Sequence, residues 1–385
     1  MLWLRQRQSG LDCLRNPDNS VRRMNIDQLG KTTSRLGDVV LDPAMWPEVL
    51  AEICGAVGAI GAGLLQSDVR TPDIPRTKSC DELFGGYFRE GWHARDDRAN
   101  RGVPLLLSGE KVIVDQDIFD PEQMRRAGLY NEFLNKYGFG WFAAIGFWAG
   151  PALWALSIQR TLKEGPFENA DKPALATLSR RLTEIATLSN SVGRIALTCA
   201  TDALNTIRQP ALALDNRGFI LAANNSAEHL FDDELYIHNR RMLVRDELAK
   251  RQIGELIDQM RVTSDKDPMV RYPIVIRRQR RQPVLVRTLP VHGAARSPFL
   301  GARAILTLTP LEARPRPGPA EIAKLFHLTP AEARLACVIA QGLNPKQAAG
   351  LLEISRETVR TQLKSIFAKT ATHRQSELVA MLSRL

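Results

Sequence analysis

The stretch "LTPAEARLACVIAQGLNPKQAAGLLEISRETVRTQLKSIFAKT", residues 328–370, punctuates itself into three helices. Thr329 is a helix cap, Pro330 fits a first turn, and Glu332 completes a T-x-x-E capping box. Ala331, Leu335, Val338 and Ile339 form a stripe at three-four spacing, and Gly342 stops it. Asn344, Pro345 and Gln347 repeat the same device, and Ala348 and Ala349 are small enough for close helix contact. Glu353 and Ile354 make a turn, after which Ser355 caps the third helix. There Val359, Leu363, Ile366 and Phe367 recur every three or four positions, while Arg360, Thr361 and Lys364 fill the other side. If the φ of Glu353 is positive, that turn costs roughly 1 kcal/mol relative to Gly.

Two short helices joined by a tight turn, with cations on the second, are the helix-turn-helix arrangement, whose second helix enters a major groove. The blocks L-T-x-x-E, A-x-G, I-S-x-x-T-V-R and I-x-x-K, followed by Arg374, closely resemble the LuxR-type DNA-binding domain over about residues 325–385. The resemblance implies base contacts from Arg360, Thr361 and Lys364, and backbone contacts from Lys346, Ser355, Thr358 and Lys369. It also implies a terminal helix, Gln375 to Leu385, pairing two subunits through Leu378, Val379 and Leu382. Ala348, Gln362 and Thr370 depart from the usual Ile, His and Leu of that pattern; the change at 362 puts a backbone contact in doubt. Placement matters more than total charge, because residues 319–385 hold nine Lys and Arg against five Asp and Glu.

Upstream, "ARPRPGP", residues 313–319, is a stiff Pro-rich linker. Before it, "QPALALDNRGFILAANNSAEHLF", residues 209–231, predicts a strand, a turn at Asp215 to Gly218, a second strand, and a short helix opened by Asn224 and Asn225. Further strands follow in "RYPIVIRRQ", "QPVLVRTLPV" and "ARAILTLTPL". This resembles a PAS domain over about residues 206–312. The "RRQRR" between two of these strands reads as a solvated hairpin turn, with a nucleic-acid patch as the sharper alternative.

Residues 44–57 have helical spacing at Met45, Val49, Ile53 and Val57; "AIGAGLLQSD" and "EKVIVDQD" are strand candidates. "YGFGWFAAIGFWAGPALWALSIQR", residues 137–160, carries no charge before Arg160 and is long enough to cross a bilayer, but its glycines and the central "AGPA" favour a buried hairpin. The order of elements resembles a GAF domain, a small-molecule or protein-interaction sensor fold, over roughly residues 40–170. From Pro173 to Ile207 the positions Leu175, Leu178, Leu182, Ile185, Val192 and Cys199 suit either a dimer seam or a helix capping the first sheet, with Ser189 and Ala196 interrupting the seam.

The 385 residues are 44% hydrophobic and 24% charged, ample for two or three soluble domains, and the net charge of +10 and pI near 9.6 favour a polyanionic partner. Five dispersed cysteines without a C-x-x-C pair fit a reducing cytoplasm, and the amino-terminal apolar stretch is too short for a secretory signal. Met24 is a candidate natural start. Nucleophile elbows, phosphate loops and zinc spacings are missing, so no enzyme is expected. The best polar cluster, "GWHARDDR" at residues 91–98, offers Trp92, His93, Asp96 and Asp97 as a sensor loop, in which Asp96 or Asp97 pairs with an Arg. An acidic pocket for phosphorylation and the W-x-x-x-Y motif of acyl-homoserine-lactone sensors are absent.

The expectation is therefore an α+β multidomain chain: two α/β sensor-type modules, GAF-like and PAS-like, then an all-α four-helix helix-turn-helix domain. Its parts are a disordered extension (1–38), a GAF-like sensor (39–172), a connecting helix (173–207), a PAS-like domain (208–312), the linker (313–319) and the DNA-binding domain (320–385). The expected function is a dimeric, cytoplasmic, sequence-specific transcription regulator. Its expected partners are promoter DNA, a second copy, RNA polymerase and a small-molecule or protein signal, with no membrane and no identified cofactor. The alternative is a protein-interaction adaptor whose terminal bundle only dimerises.

Overall fold

The computed structural model describes residues 24–67, 72–262, 272–311 and 318–383. The extension before Met24 and linker residues 313–317 lie outside the described residues. The chain divides into two compact units, one ending at Pro310 and the other beginning at Leu311.

Among the described residues the first unit holds two larger sheets and a two-stranded hairpin. The first consists of β1 (Gly61–Gln66), β2 (Val112–Val114), β3 (Trp141–Ala149) and β4 (Ala152–Arg160), antiparallel in the order β1-β4-β3-β2. The uncharged stretch 137–160 is thus a hairpin turning at Gly150, whose φ is +60°. Among the described residues no helix is long and apolar enough to cross a membrane. β3 and β4 lack charge before Arg160 because both sheet faces are covered. On one face lie α1 (Ile26–Arg35) and α2 (Trp46–Val57), with a core including Leu36, Trp46, Leu50 and Ile53. On the other lie α3 (Asp81–Arg89) and α4 (Asp97–Leu107), with Phe84, Tyr87, Phe133 and Phe142.

α1 corrects the expectation that residues up to 38 form an extension. Asn25 Oδ1 accepts the Gln28 amide at 2.9 Å, and Leu29 and Leu36 are buried against α2. Its polar sequence buries only Leu29 and Thr32 within the helix, with Leu36 following at its end.

α5 (Lys172–Thr206) runs 35 residues, roughly 50 Å at 1.5 Å per residue. Its buried stripe is Leu175, Leu178, Leu182, Ala186, Ser189, Gly193, Leu197 and Thr201. The leucines expected in a dimer seam therefore pack on the first sheet, which is the capping alternative. Ser189 belongs to the stripe rather than interrupting it. Ile185 and Val192 are half-buried and Cys199 is exposed.

The second sheet is β5 (Ala211–Asp215), β6 (Ile220–Ala223), β9 (Ile274–Ile276), β10 (Val284–Pro290) and β11 (Ala302–Pro310), antiparallel in the order β6-β5-β11-β10-β9. The hairpin β7 (Leu235–His238) and β8 (Arg241–Val244), with α6 (Glu247–Val262), supply one core face. The carboxyl half of α5 covers the other through Leu197. In the β5–β6 turn, Asp215 Oδ1 accepts the amides of Arg217 and Phe219, both at 2.8 Å, and Gly218 has φ +78°. Asn224 is buried with every polar atom used: Oδ1 accepts from Ala211 and Ala227, and Nδ2 donates to the carbonyls of Thr201 and Gln209. In the Arg-rich turn, Arg278 is folded inward onto Asp232 at 3.1 Å.

The expected boundary between two sensor modules is bridged. The segment after β10 packs on the first sheet's helices, and Phe299 meets Trp46, Phe147 and Trp154 edge-on at 5.9, 5.9 and 5.1 Å. Ser297 shares a hydrogen bond with Ser189 at 2.8 Å, both buried. A Cβ on Gly193 would lie 2.8 Å from the Ala294 carbonyl, so only glycine admits this approach. Arg296 and Arg303 both pair with Asp73.

The second unit is all helical: α7 (Pro319–Phe326), α8 (Pro330–Ala340), α9 (Pro345–Leu351), α10 (Arg356–Thr370) and α11 (Gln375–Leu382). Among the described residues five helices stand where four were expected. The linker's last residue, Pro319, is the first residue of α7, and Glu321 accepts the Gly318 amide at 3.0 Å.

Candidate nucleic-acid interface and sensor cavity

In the second unit, sequence-encoded caps set the starts of α8, α9 and α10. Thr329 Oγ1 accepts the Glu332 amide and the Glu332 carboxylate accepts the Thr329 amide; Asn344 and Gln347 do the same for α9. Glu353 does take the left-handed conformation, φ +54°, which lets the Ile354 amide reach the Ala349 carbonyl at 3.0 Å. The chain then turns into α10, where Ser355 Oγ accepts the Thr358 amide at 3.0 Å.

Val359, Leu363 and Ile366 are buried against α8, α9 and α11. Opposite them, Arg360, Thr361 and Lys364 are exposed within an arc of about 100°. The Arg360 side chain is 83% exposed and only loosely paired with Glu357 at 3.7 Å. The Thr361 hydroxyl donates to the Glu357 carbonyl at 3.0 Å. Lys346, Ser355 and Thr358 are exposed on the adjoining helix starts.

Two groups of expected contacts are otherwise engaged. Lys369 Nζ lies 2.7 Å from Glu332 Oε2. Burial pushes the Glu332 carboxyl up, but hydrogen bonds from Lys369, Ser365 and Thr329 outweigh it and hold its pKa at about 2. Leu378 and Leu382, expected between subunits, are buried in their own unit, leaving Val379 half-buried. They pack inward because α11 closes the bundle over α8.

In the first unit, the aromatic face of the first sheet encloses a cavity of about 100 Å³. Its wall is mostly hydrocarbon, including Leu83, Phe84, Val103, Leu106, Phe133 and Phe142. One end is polar, with Asp96, Arg98, Ser157 and Gln159. Arg98 is buried between the Tyr130 and Phe142 rings, 4.5 and 4.3 Å away. It donates to the Tyr130 hydroxyl at 2.9 Å and to Gln159 Oε1 at 3.2 Å, and faces Asp115 at 3.2 Å. Asp115 also accepts from the Tyr130 hydroxyl and from the Phe142 amide. Burial raises the Tyr130 pKa, keeping its proton available to Asp115.

The expected sensor loop is brought together here in part. Asp96 caps α4 through the Ala99 amide at 3.1 Å, accepts the Tyr87 hydroxyl at 2.6 Å, and lines the cavity. Trp92 is buried beneath Arg95 at 4.0 Å, and His93 packs on Phe88 at 5.4 Å; neither lines the cavity, nor does Asp97. The Arg98 guanidinium forms an ion pair with Asp115, 3.2 Å away. Sequence reasoning missed Asp115, Tyr130, Ser157 and Gln159. Among the described residues no cluster of His, Cys, Asp and Glu could hold a metal ion.

No family model matches the chain, and no curated protein matches it. Solved structures similar to it include a phage VqmA–DPO complex (16% identity, 49% of this chain and 88% of that one, TM-score 0.20). Another is the E. coli DhaR(N)–DhaL complex (14% identity, 73% of this chain and 87% of that one, TM-score 0.23). At these TM-scores the likenesses carry no argument about mechanism. The α+β multidomain architecture rests on the coordinates.

Proposed function

We propose that the chain is a sequence-specific DNA-binding transcription regulator of LuxR type, acting by binding rather than catalysis, in which a signal received by the first unit alters DNA binding or activation. The observation that carries this reading is the division of α10: Val359, Leu363 and Ile366 are buried while Arg360, Thr361 and Lys364 stand exposed on the other side. A helix held in this way presents donors to base edges, and Lys346, Ser355 and Thr358 beside it suit phosphates. The reading includes a GAF-like first module, a PAS-like second one and a dimer. For the dimer, α5 offers a line at three-four spacing, Leu188, Val192, Ile195 and Cys199, in which Val192 is half-buried, Leu188 is 50% and Ile195 63% exposed.

Genomic footprinting followed by shift assays tests the DNA-binding claim. Lys364→Ala is expected to weaken operator binding by roughly 1 to 3 kcal/mol and relax one base preference. Unchanged affinity and preference refute the role of Lys364, and no protected site anywhere in the genome refutes the function.

A further inference from the structure

Resting on the reading that the first unit receives a signal, we propose that the cavity beneath the first sheet binds a small neutral molecule: a ring or short branched hydrocarbon bearing one carbonyl oxygen. Size sets the first limit. A cavity of roughly 150 Å³ in another protein holds benzene, so about 100 Å³ in this partly open cavity suits one small ring with a short substituent. Hydrocarbon walls such as Phe84, Val103, Leu106 and Phe133 fit such a body.

Charge sets the second limit. The Arg98 guanidinium is balanced by Asp115 at 3.2 Å, and Asp96 adds a further carboxylate to the same wall. With Arg98 already balanced by Asp115, a carboxylate ligand would bring an unmatched anion into a buried site, which its desolvation opposes. An ammonium would face the guanidinium, while Asp96 already accepts from Tyr87 and from the Ala99 amide. A neutral acceptor escapes both penalties.

Donors set the third. Arg98 Nη2 is buried and faces Asp115 without the alignment of a hydrogen bond. Ser157 Oγ accepts from Gln159 Nε2 at 2.8 Å, which leaves its own O–H to give. Both residues line the polar end, and one carbonyl oxygen has two lone pairs to receive them.

The test is saturation-transfer NMR and calorimetry on the full chain with four probes: cyclohexanone, benzene, cyclohexylamine and cyclopentanecarboxylate. Cyclohexanone should bind at least tenfold more tightly than the amine or the acid and severalfold more tightly than benzene. Ser157→Ala should weaken cyclohexanone three- to tenfold without affecting benzene. Val103→Phe, filling the cavity from α4, should abolish binding of both at unchanged Tm; Ala144→Leu repeats the filling from β3. Preference for the acid or amine, equal binding of benzene, or indifference to both filling variants overturns the proposal. So does failure of every probe at 10 mM, on the order of the weakest affinities such small ligands show. DNA binding is read separately without probes, so failure of the regulator reading and failure of this ligand class are told apart.

Discussion

The substitution Lys369→Met removes the ammonium that lies 2.7 Å from Glu332 Oε2 and so separates two roles the residue cannot fill at once. By family resemblance Lys369 approaches a phosphate; by geometry it ties the end of α10 to the capping box of α8. Holding Glu332 at about 2 rather than 4.5 corresponds to roughly 3 kcal/mol. Lys369 shares that hold with Ser365 and Thr329, and its side chain is 34% exposed, so screening leaves about 1 to 2 kcal/mol to it. The Glu332 pKa is depressed on folding. Its contribution is therefore present above about pH 4.5 and lost as pH falls toward 2. Hydrogen exchange of the full chain at neutral pH reads this in α8 peptides: amides that exchange through opening of the second unit should exchange about 5- to 30-fold faster in Lys369→Met. Between pH 4.5 and 3 wild type should lose protection, while the variant, with less to lose, changes less. The salt dependence of operator binding should keep its slope. Unchanged exchange, together with a slope smaller by about 0.9, would refute the reasoning and make Lys369 a phosphate contact.

Glu353→Gly should stabilise the second unit by about 0.5 to 1 kcal/mol, seen as slower exchange in α9 and α10, because φ +54° strains any residue with a Cβ. Phe299→Ala should destabilise the first unit by about 3 to 4 kcal/mol in urea unfolding followed by tryptophan fluorescence, since it empties a site ringed by Trp46, Phe147 and Trp154. Ile195→Asp should convert a dimer into a monomer in analytical ultracentrifugation; in a Cys13→Ser, Cys337→Ser background, oxidation should link copies through exposed Cys199 only if that line of α5 faces its own copy. A monomeric wild type, or an unaffected dimer, removes α5 from the interface.

How legible all this was from sequence varied with the range of the physics involved. The caps of the second unit were legible because they are local, Thr329 with Glu332, Asn344 with Gln347 and Ser355 at the start of α10, whereas α7 and the inward packing of Leu378 and Leu382 were not. The β5–β6 turn yielded for the same reason, through Asp215 and Gly218. The β7–β8 hairpin did not, because its turn places Asn239 and Arg240 at φ +48° and +59° without the glycine that announces such turns. The polar end of the cavity escaped because its members are far apart in sequence: Arg98 meets Asp115 17 positions on and Gln159 61 positions on. Nothing in their local pattern says that these polar side chains, rather than their neighbours, turn inward. In α5 the small residue Ser189 looked like a flaw in a seam, whereas it is buried and hydrogen-bonds Ser297, one turn from the close backbone approach at Gly193.

Phe299 has a bearing on how such a chain can be cut and recombined. Its ring is carried by the second sheet but lodged among rings of the first, and Asp73 of the first sheet's neighbourhood holds two arginines of the second. A fragment begun at residue 208 would carry an aromatic without its ring neighbours and two arginines without Asp73. Exchange of the first sheet for one from another protein would leave the same scar. Within the first unit the two sheets are therefore inherited as a single cassette, and a chimera that respects this boundary is one that cuts between Pro310 and Pro319.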